Sequence, residues 1–349
     1  MSAGTVDASI AEAVATLAAT VATATTVVPV GGRTHWEVGG PPPAGTEVSA
    51  PAGVIEYDPA ELTVTVGAGT TIAELDAVLA AAGQQCPLDP RDPAATVGGV
   101  LATGLSGRRR LRYGPVHNRL LEVHLVLGDG RCVKGGGRTV KNVSGYDVAR
   151  LVVGSFGTLG VLVQVTLRCE PVAPMAGWRT VDASGAEALA RMFRPAAVCV
   201  APGATHVLLE GFPEDVEAET ARLGDAVAGV APQWPTGPHR GRVSVAPAQV
   251  DALVRSLHGA GIAALGEAGV GTIHVAGEAP EALAEAREHA HRAGGWLLRE
   301  AGGAGLDGFG GPLPNAALTA RLKDAIDPTG TCNPGRLPID ASLAVGVTA

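Results

Sequence analysis

The sequence predicts an α+β protein in which a larger, glycine-punctuated first domain is followed by a smaller α/β unit. Three observations carry that prediction. Helical and strand patterns alternate from the start to about Pro174, and the stretch EPVAPMAG (170–177) then interrupts them. Beyond it the chain is alanine-rich, with helical patterns near 184–193, 214–229, 247–260 and 278–293 and strands near 205–210, 242–245 and 271–275. With 349 residues, there is enough chain for two domains and a substantial core.

In chain order, Val6, Ile10, Ala13, Val14 and Leu17 fall on one helical face, and this first helix runs into a strand ending near Val30. The same stretch has no basic start and carries Asp7 and Glu12, so it does not read as a signal peptide. A proline-rich loop (Pro41, Pro42, Pro43) leads to strands over Val54–Tyr57 and Leu62–Val66, which flank the turn Asp58-Pro59-Ala60. TTIAELDAVLAAAG is a helix with Thr71 as N-cap, Glu74 completing a capping box and Gly83 closing it. Leu120–Leu127 and Arg131–Lys134 form a hairpin turned by Gly128-Asp129-Gly130, and Thr158–Arg168 is a long strand ending at Pro171. From Gly302 a glycine-rich loop precedes a short helix (316–325) and the turn DPTGTCNPGRL. The expected divisions are therefore 1–174, 175–301 and 302–349.

Hydrophobic residues make up 46% and charged ones 17%, the balance of an ordered globular chain. The 49 glycines are roughly twice the average share, and they cluster where a backbone would approach a phosphate-bearing ligand. A net charge of −8 argues against general nucleic-acid binding, which needs a basic surface. Arg108, Arg109, Arg110 and Arg112 are a local exception, read either as a solvated loop or as an anion or partner surface. Cys86, Cys132, Cys169, Cys199 and Cys332 are scattered without a CxxC, which favours reduced thiols and a cytoplasmic setting. That spacing also excludes a cysteine-held iron–sulfur cluster or zinc site within the chain. No stretch has the roughly 20 strongly apolar residues of a membrane span, so a soluble protein is expected.

Three segments carry chemistry. Pro29-Val30-Gly31-Gly32-Arg33-Thr34 follows a strand, and consecutive glycines there can form a backbone nest for a pyrophosphate. Ala95–Gly107 mixes small residues with the hydroxyls of Thr96, Thr103 and Ser106, potential donors to phosphate or ring oxygens; by itself it also fits a tightly packed helix start. Gly154–Val161 is a glycine turn feeding the long strand. No GxGxxG follows a first strand and no GxxxxGK[ST] occurs, which turns the reading away from nicotinamide dehydrogenases and nucleotide triphosphatases.

In order and spacing these segments resemble the FAD-binding domain shared by p-cresol methylhydroxylase, vanillyl-alcohol oxidase and the FAD-linked 2-hydroxy-acid dehydrogenases. ATVGGVLATGLSGRRRLRYG, then GGGRTVKNVSGYDVARLVVGSFGTLGVLVQVTLRCEP (135–171), sharpen the resemblance to the FAD-binding subunit of bacterial glycolate oxidase. It covers about 28–171 and the closing NPGRL, with the middle third matched only in length and texture. The resemblance implies a two-lobed FAD-binding domain of the p-cresol methylhydroxylase type, a smaller α/β cap-like domain, and a C-terminal segment that returns to the FAD domain. It also implies a complex with a second FAD-linked dehydrogenase subunit and an iron–sulfur subunit, cytoplasmic or peripheral to the inner membrane.

Residue by residue, the resemblance places Val30, Gly31, Gly32, Arg33 and Thr34 on the FAD pyrophosphate and Pro87 and Leu88 near the flavin. Thr96, Gly98, Gly99, Ala102, Thr103 and Ser106 would line the pyrophosphate and ring side, and Gly157, Thr158 and Val161 would contact the cofactor. Tyr146 and Asp147 would buttress that wall. Lys141 reads either as a cation for the reduced ring or as a surface lysine paired with Asp147. Family loops often read Arg-Gly-x-Gly; here Val30 stands first and Arg33 last, so Arg33 is the replacement cation. Where covalent relatives carry a histidine, Thr34 is nearest and His35 is one residue off, so the FAD is expected to be dissociable.

Oxidation of a 2-hydroxy acid also needs a base and a cation for the carboxylate. Neither HExxH nor an HxGDGNxH-like run is present among the nine histidines, and His289 and His291 point apart on a helix. His274, in GTIHVAG, is read as a packed histidine or a ligand. No catalytic residue and no metal ligand is assigned. Three functions stay open: an FAD subunit of a glycolate-oxidase-like complex, a self-sufficient FAD-dependent D-2-hydroxy-acid dehydrogenase, or an assembly subunit without FAD.

Overall fold

The computed structural model describes residues 3–137, 147–311 and 313–339. The first half contains α1 (Ala3–Thr23), β1 (Val27–Pro29), β2 (Thr46–Val48), β3 (Val54–Asp58), β4 (Thr63–Gly67), α2 (Ile72–Ala80), β5 (Gln84–Gln85) and α3 (Val97–Thr103). It continues with α4 (Arg110–Tyr113), β6 (Leu120–Val126), β7 (Cys132–Gly136), α5 (Val148–Val152), β8 (Val161–Arg168) and β9 (Glu170–Pro171). Strands pair antiparallel in the order β3-β4-β8-β6-β7, while β1 and β2 form a separate parallel pair.

Local chemistry sets several of these boundaries. Thr71 accepts from the Glu74 amide while the Glu74 carboxylate accepts from Thr71 N, a capping box that fixes the start of α2. β8 begins at Val161 rather than Thr158 because Gly157 and Gly160 (φ 72° and 144°) hold the chain in a turn before it. α2 and α3 cover one face of the sheet with Leu75, Leu79, Val97 and Leu101. α1 covers the other with Leu17 and Val21 against Val126, Val161 and Val163. Ala13 is exposed, so the buried stripe of α1 runs through Ile10, Leu17 and Val21.

The second sheet has eight strands, β10 (Met175–Val181), β11 (Ala197–Ala201), β12 (Ala204–Gly211), β13 (Val227–Gly229), β14 (His239–Ser244), β15 (Ala263–Glu267), β16 (Thr272–Gly277) and β17 (Trp296–Ala301). All its pairings are antiparallel, in the order β13-β10-β12-β11-β15-β16-β14-β17. Helices α6 (Gly185–Arg191), α7 (Pro213–Arg222), α8 (Val250–Gly259) and α9 (Glu281–Arg292) contribute to a core separate from the first. The helix expected over 214–229 stops at Arg222, since Gly224 (φ 77°) turns the chain into the short edge strand β13. No helix among the described residues is long and apolar enough to cross a membrane.

Three of the four arginines in the run, Arg108, Arg109 and Arg112, are tied into the fold, while Arg110 is exposed. Arg109 chelates Asp89 (2.5 and 2.7 Å) and reaches Glu210 of β12 (3.4 Å), whose carboxylate also accepts from Tyr113 Oη (2.8 Å). Arg112 donates to the Glu210 carbonyl, and Arg108 donates to Pro232 O (2.6 Å) and stacks 3.7 Å over the Trp234 ring. These three arginines tie the first half of the chain to the second sheet and the loop beside it. Arg109→Leu strands Asp89 in a half-buried setting and is expected to lower unfolding free energy by on the order of 2 kcal/mol. Urea denaturation checks this; an unchanged midpoint would show that the clamp carries no stability.

Candidate functional site

Four backbone segments converge on one cleft of about 850 Å³, counted to its open mouth. The first is the loop after β1. Val30 N donates to Val48 O (2.8 Å), which pins the strand end, and the chain then turns through Gly31–His35. A Cβ on Gly31 would sit 2.3 Å from Thr96 Oγ1, and one on Gly32 would sit 2.2 Å from the Ala94 carbonyl oxygen. Glycine is required here because residues 94–96 pack directly on the loop. The amides of Gly31, Gly32, Arg33, Thr34 and His35 meet no acceptor among the described residues, although all five residues line the cleft. Successive free amides in a left-turning loop form a nest for an anion.

The second segment is α3. Its first amides are already used: Val97 N donates to Thr70 O and Gly98 N to Ala68 O (both 2.8 Å), and Gly99 N donates to Thr96 Oγ1 (3.1 Å). Thr96, Gly98, Gly99, Ala102 and Thr103 line the cleft, but Thr103 Oγ1 donates back to Gly99 O (2.9 Å). The third segment brings Phe156, Gly157 and Val161, with Gly157 pressed against Pro29.

The fourth is the C-terminal segment that the resemblance returns to the FAD domain, although no site residue was expected in it. Asn333 and Arg336 of the closing NPGRL line the same cleft. Asn333 N donates to Val27 O (2.8 Å) and its side-chain amide donates to Phe156 O (2.7 Å). Arg336 donates to the carbonyls of Trp36 (2.8 Å) and Gly40, and burial pushes its guanidinium down to about 10, with Arg299 adding repulsion. Three of the non-glycine residues with positive φ, Arg33 (55°), Phe156 (54°) and Asn333 (43°), are here, and strain of this kind concentrates at ligand sites.

Several expected contacts fall elsewhere. Leu88 is fully buried in the core of the first sheet, and neither it nor the buried Pro87 lines the cleft. Ser106 is buried, and its hydroxyl accepts from Val116 N (3.1 Å); Thr158 is buried and donates to Ser155 O (2.7 Å). Both hydroxyls serve the local turn, and neither reaches the cleft. Arg33 is not a free cation, since it pairs with Glu47 (2.5 Å) and stacks 4.2 Å over Trp36. Lys141 and Tyr146 lie outside the described residues, while Asp147 caps α5 by accepting from Arg150 N (3.0 Å).

His274 is a packed histidine. It is fully buried, bonds Glu267 Oε1 (3.0 Å) and meets Trp234 edge to face at 4.5 Å. Burial holds it below the ordinary histidine pKa, against the raising effect of Glu267; Arg242 also lowers it and Glu300 raises it. Burial likewise lowers His35. Both therefore stay neutral in the folded chain while the unfolded chain takes up protons near about pH 6.5. Stability is thus complete above about pH 6.5 and falls as pH drops below it. Melting temperatures between pH 7.5 and 5.5 should show that decline, and His274→Gln should flatten it; a flat wild-type profile would contradict it.

The cleft suits a diphosphate-bearing cofactor: among the described residues it has free amides on one wall, the Arg336 cation on another, and a buried Asn333 Oδ1 with no partner. Residues 7–136 match the family model described as "FAD binding domain". Over these residues the match defines an FAD-binding domain of the p-cresol methylhydroxylase type. Among particular proteins, the chain is 35% identical over 193 residues to glycolate oxidase subunit GlcE of Escherichia coli, covering 52% of this chain and 55% of that one. It is 42% identical over 117 residues to a D-lactate dehydrogenase of Archaeoglobus fulgidus, covering 34% of this chain and 26% of that one. The chain thus spans about half of the first relative and a quarter of the second. The structure of an alkyldihydroxyacetonephosphate synthase superposes with a TM-score of 0.66 at 17% identity, over 91% of this chain and 74% of that one, a likeness of fold alone.

Proposed function

We propose that the chain is the FAD-binding subunit of a glycolate-oxidase-like complex, acting with a second FAD-linked dehydrogenase subunit and an iron–sulfur subunit on glycolate or a related 2-hydroxy acid. The observation that carries the flavin part is the run of free amides from Gly31 to His35 in a cleft walled by Thr96–Thr103, Phe156–Val161 and Asn333–Arg336. The likeness to GlcE supports the complex. When bound, FAD would supply the two-electron acceptor. The chain's own residues hold it: the loop amides take the diphosphate, Arg336 adds positive charge, and Asn333 offers its unpartnered carbonyl oxygen to a donor on the ligand. No histidine occupies the covalent position of the loop, which supports a dissociable flavin.

The full chain is expected to take up FAD and to release it unmodified on denaturation. A purified chain that binds none on incubation overturns the flavin reading. A tagged chain in native lysate is expected to bring down one further flavoprotein and one iron–sulfur protein. Recovery of the flavin-loaded chain alone would remove the complex from the proposal.

A further inference from the structure

Beside the flavin cleft lies a second, polar cavity of about 870 Å³, counted to its mouth, and Thr34 and His35 line both. Three arginines line it: Arg91, Arg240 and Arg242. Glu300, 8% exposed, takes two of them, at 3.2 Å from Arg91 and 3.2 Å from Arg242. Asp89 is spent on Arg109 outside the cavity, and the exposed Asp92 caps its own turn at Ala94 N (2.9 Å). Arg240 donates only to the Gly237 carbonyl (3.2 Å) and has no carboxylate partner among the described residues. The remaining nitrogens of this half-buried guanidinium are uncommitted in a wall already carrying two other cations. His35 adds a buried Nδ1 with no partner among the described residues. Burial opposes ionisation of Glu300, yet the Arg242 and Arg91 guanidiniums hold its carboxyl below the usual range, so it counts as one full negative charge. Three guanidiniums then stand against Glu300 and the solvated Asp92.

We infer that this cavity is a carboxylate-binding site, in which Arg240 takes the carboxylate of a small hydroxy acid and His35 stands between that ligand and the flavin cleft. An unpaired guanidinium beside other cations is stabilised by a planar two-oxygen anion, which it can hold bidentately. Arg91 and Arg242 are fixed by Glu300 and add field without needing to move. Arg91 also donates to Pro235 O (2.8 Å) and lies 5.0 Å from the Trp234 ring, which makes that wall rigid. The inference rests on the flavin reading, because the shared residues Thr34 and His35 are what place the ligand beside a cofactor.

The test is calorimetric titration of the FAD-loaded full chain with oxalate, which cannot be dehydrogenated, at constant ionic strength. Saturable binding is expected, weakened about tenfold or more in Arg240→Met and partly restored in Arg240→Lys. Melting curves and flavin content establish that each variant is folded and loaded. A loaded wild-type chain that ignores oxalate, or an Arg240→Met chain that binds it unchanged, overturns the site alone. Binding seen only without FAD assigns the cavity to the cofactor and also overturns it. A chain that takes up no FAD overturns the flavin reading first.

Discussion

Asp327→Ala is expected to destabilise the protein by about 3 kcal/mol, the range found when one member of a buried ion pair is removed. Asp327 is 2% exposed and pairs with Lys323. Its two oxygens also accept from Thr331 N (3.2 Å), Cys332 N (2.8 Å) and Thr329 Oγ1 (3.2 Å). Removing the carboxylate leaves two backbone amides without that acceptor and a largely buried ammonium. Lys323 would keep the carbonyls of Thr158 (2.7 Å) and Cys332 (2.8 Å), which places the loss toward the lower end of that range. The turn so held leads directly into Asn333 and Arg336, so flavin affinity should fall with stability. Chemical denaturation measures the first and fluorescence titration with FAD the second. Adding Lys323→Met should recover part of the loss, because the uncompensated charge goes with it. A single-variant loss below about 1 kcal/mol would show that the pair does not hold the turn.

Gly32→Ala should act on the cofactor more than on the fold. The added methyl would lie 2.2 Å from the Ala94 carbonyl oxygen, so the loop or the 94–96 segment must shift by about an ångström to reach ordinary contact. Overpacking of this kind costs about 1–3 kcal/mol, and the strain falls on the loop whose amides form the nest. FAD affinity is expected to drop by about ten- to a hundredfold, at 1.4 kcal/mol per factor of ten. Gly259→Ala in α8 is the control: nothing lies within 4 Å of the new Cβ, and FAD affinity should not change. Equal affinity in Gly32→Ala and wild type would place the diphosphate elsewhere.

Much of the local architecture is legible in the sequence because it is decided locally. The capping box of α2, the Gly128-Asp129-Gly130 hairpin and the glycine turn before β8 each depend on residues within a few positions of one another. Strands β10, β11, β15 and β17 were not legible. They lie in alanine-rich stretches, and their place in the sheet comes from pairing with distant strands, where context outweighs propensity. The chemistry of Thr103, Ser106 and Thr158 was equally hidden. A hydroxyl in a glycine-rich motif looks like a phosphate donor until its backbone partner is seen.

By itself the sequence determined that three glycine-rich segments occur in the order of a flavin domain, and that each could bend as such a site requires. Tertiary structure decided which groups remain free once the segments meet. It consumes the first amides of α3, leaves those of Gly31–His35 without an acceptor among the described residues, and brings Asn333 and Arg336 back to the cleft from more than 290 positions away. It also makes a clamp of Arg108, Arg109 and Arg112, and it gathers Arg91, Arg240 and Arg242 at one cavity where Glu300 pairs with Arg91 and Arg242. The reason is that availability is a property of partners. Hydrogen bonds and ion pairs between residues more than a hundred positions apart are fixed by packing, and local sequence carries no record of them.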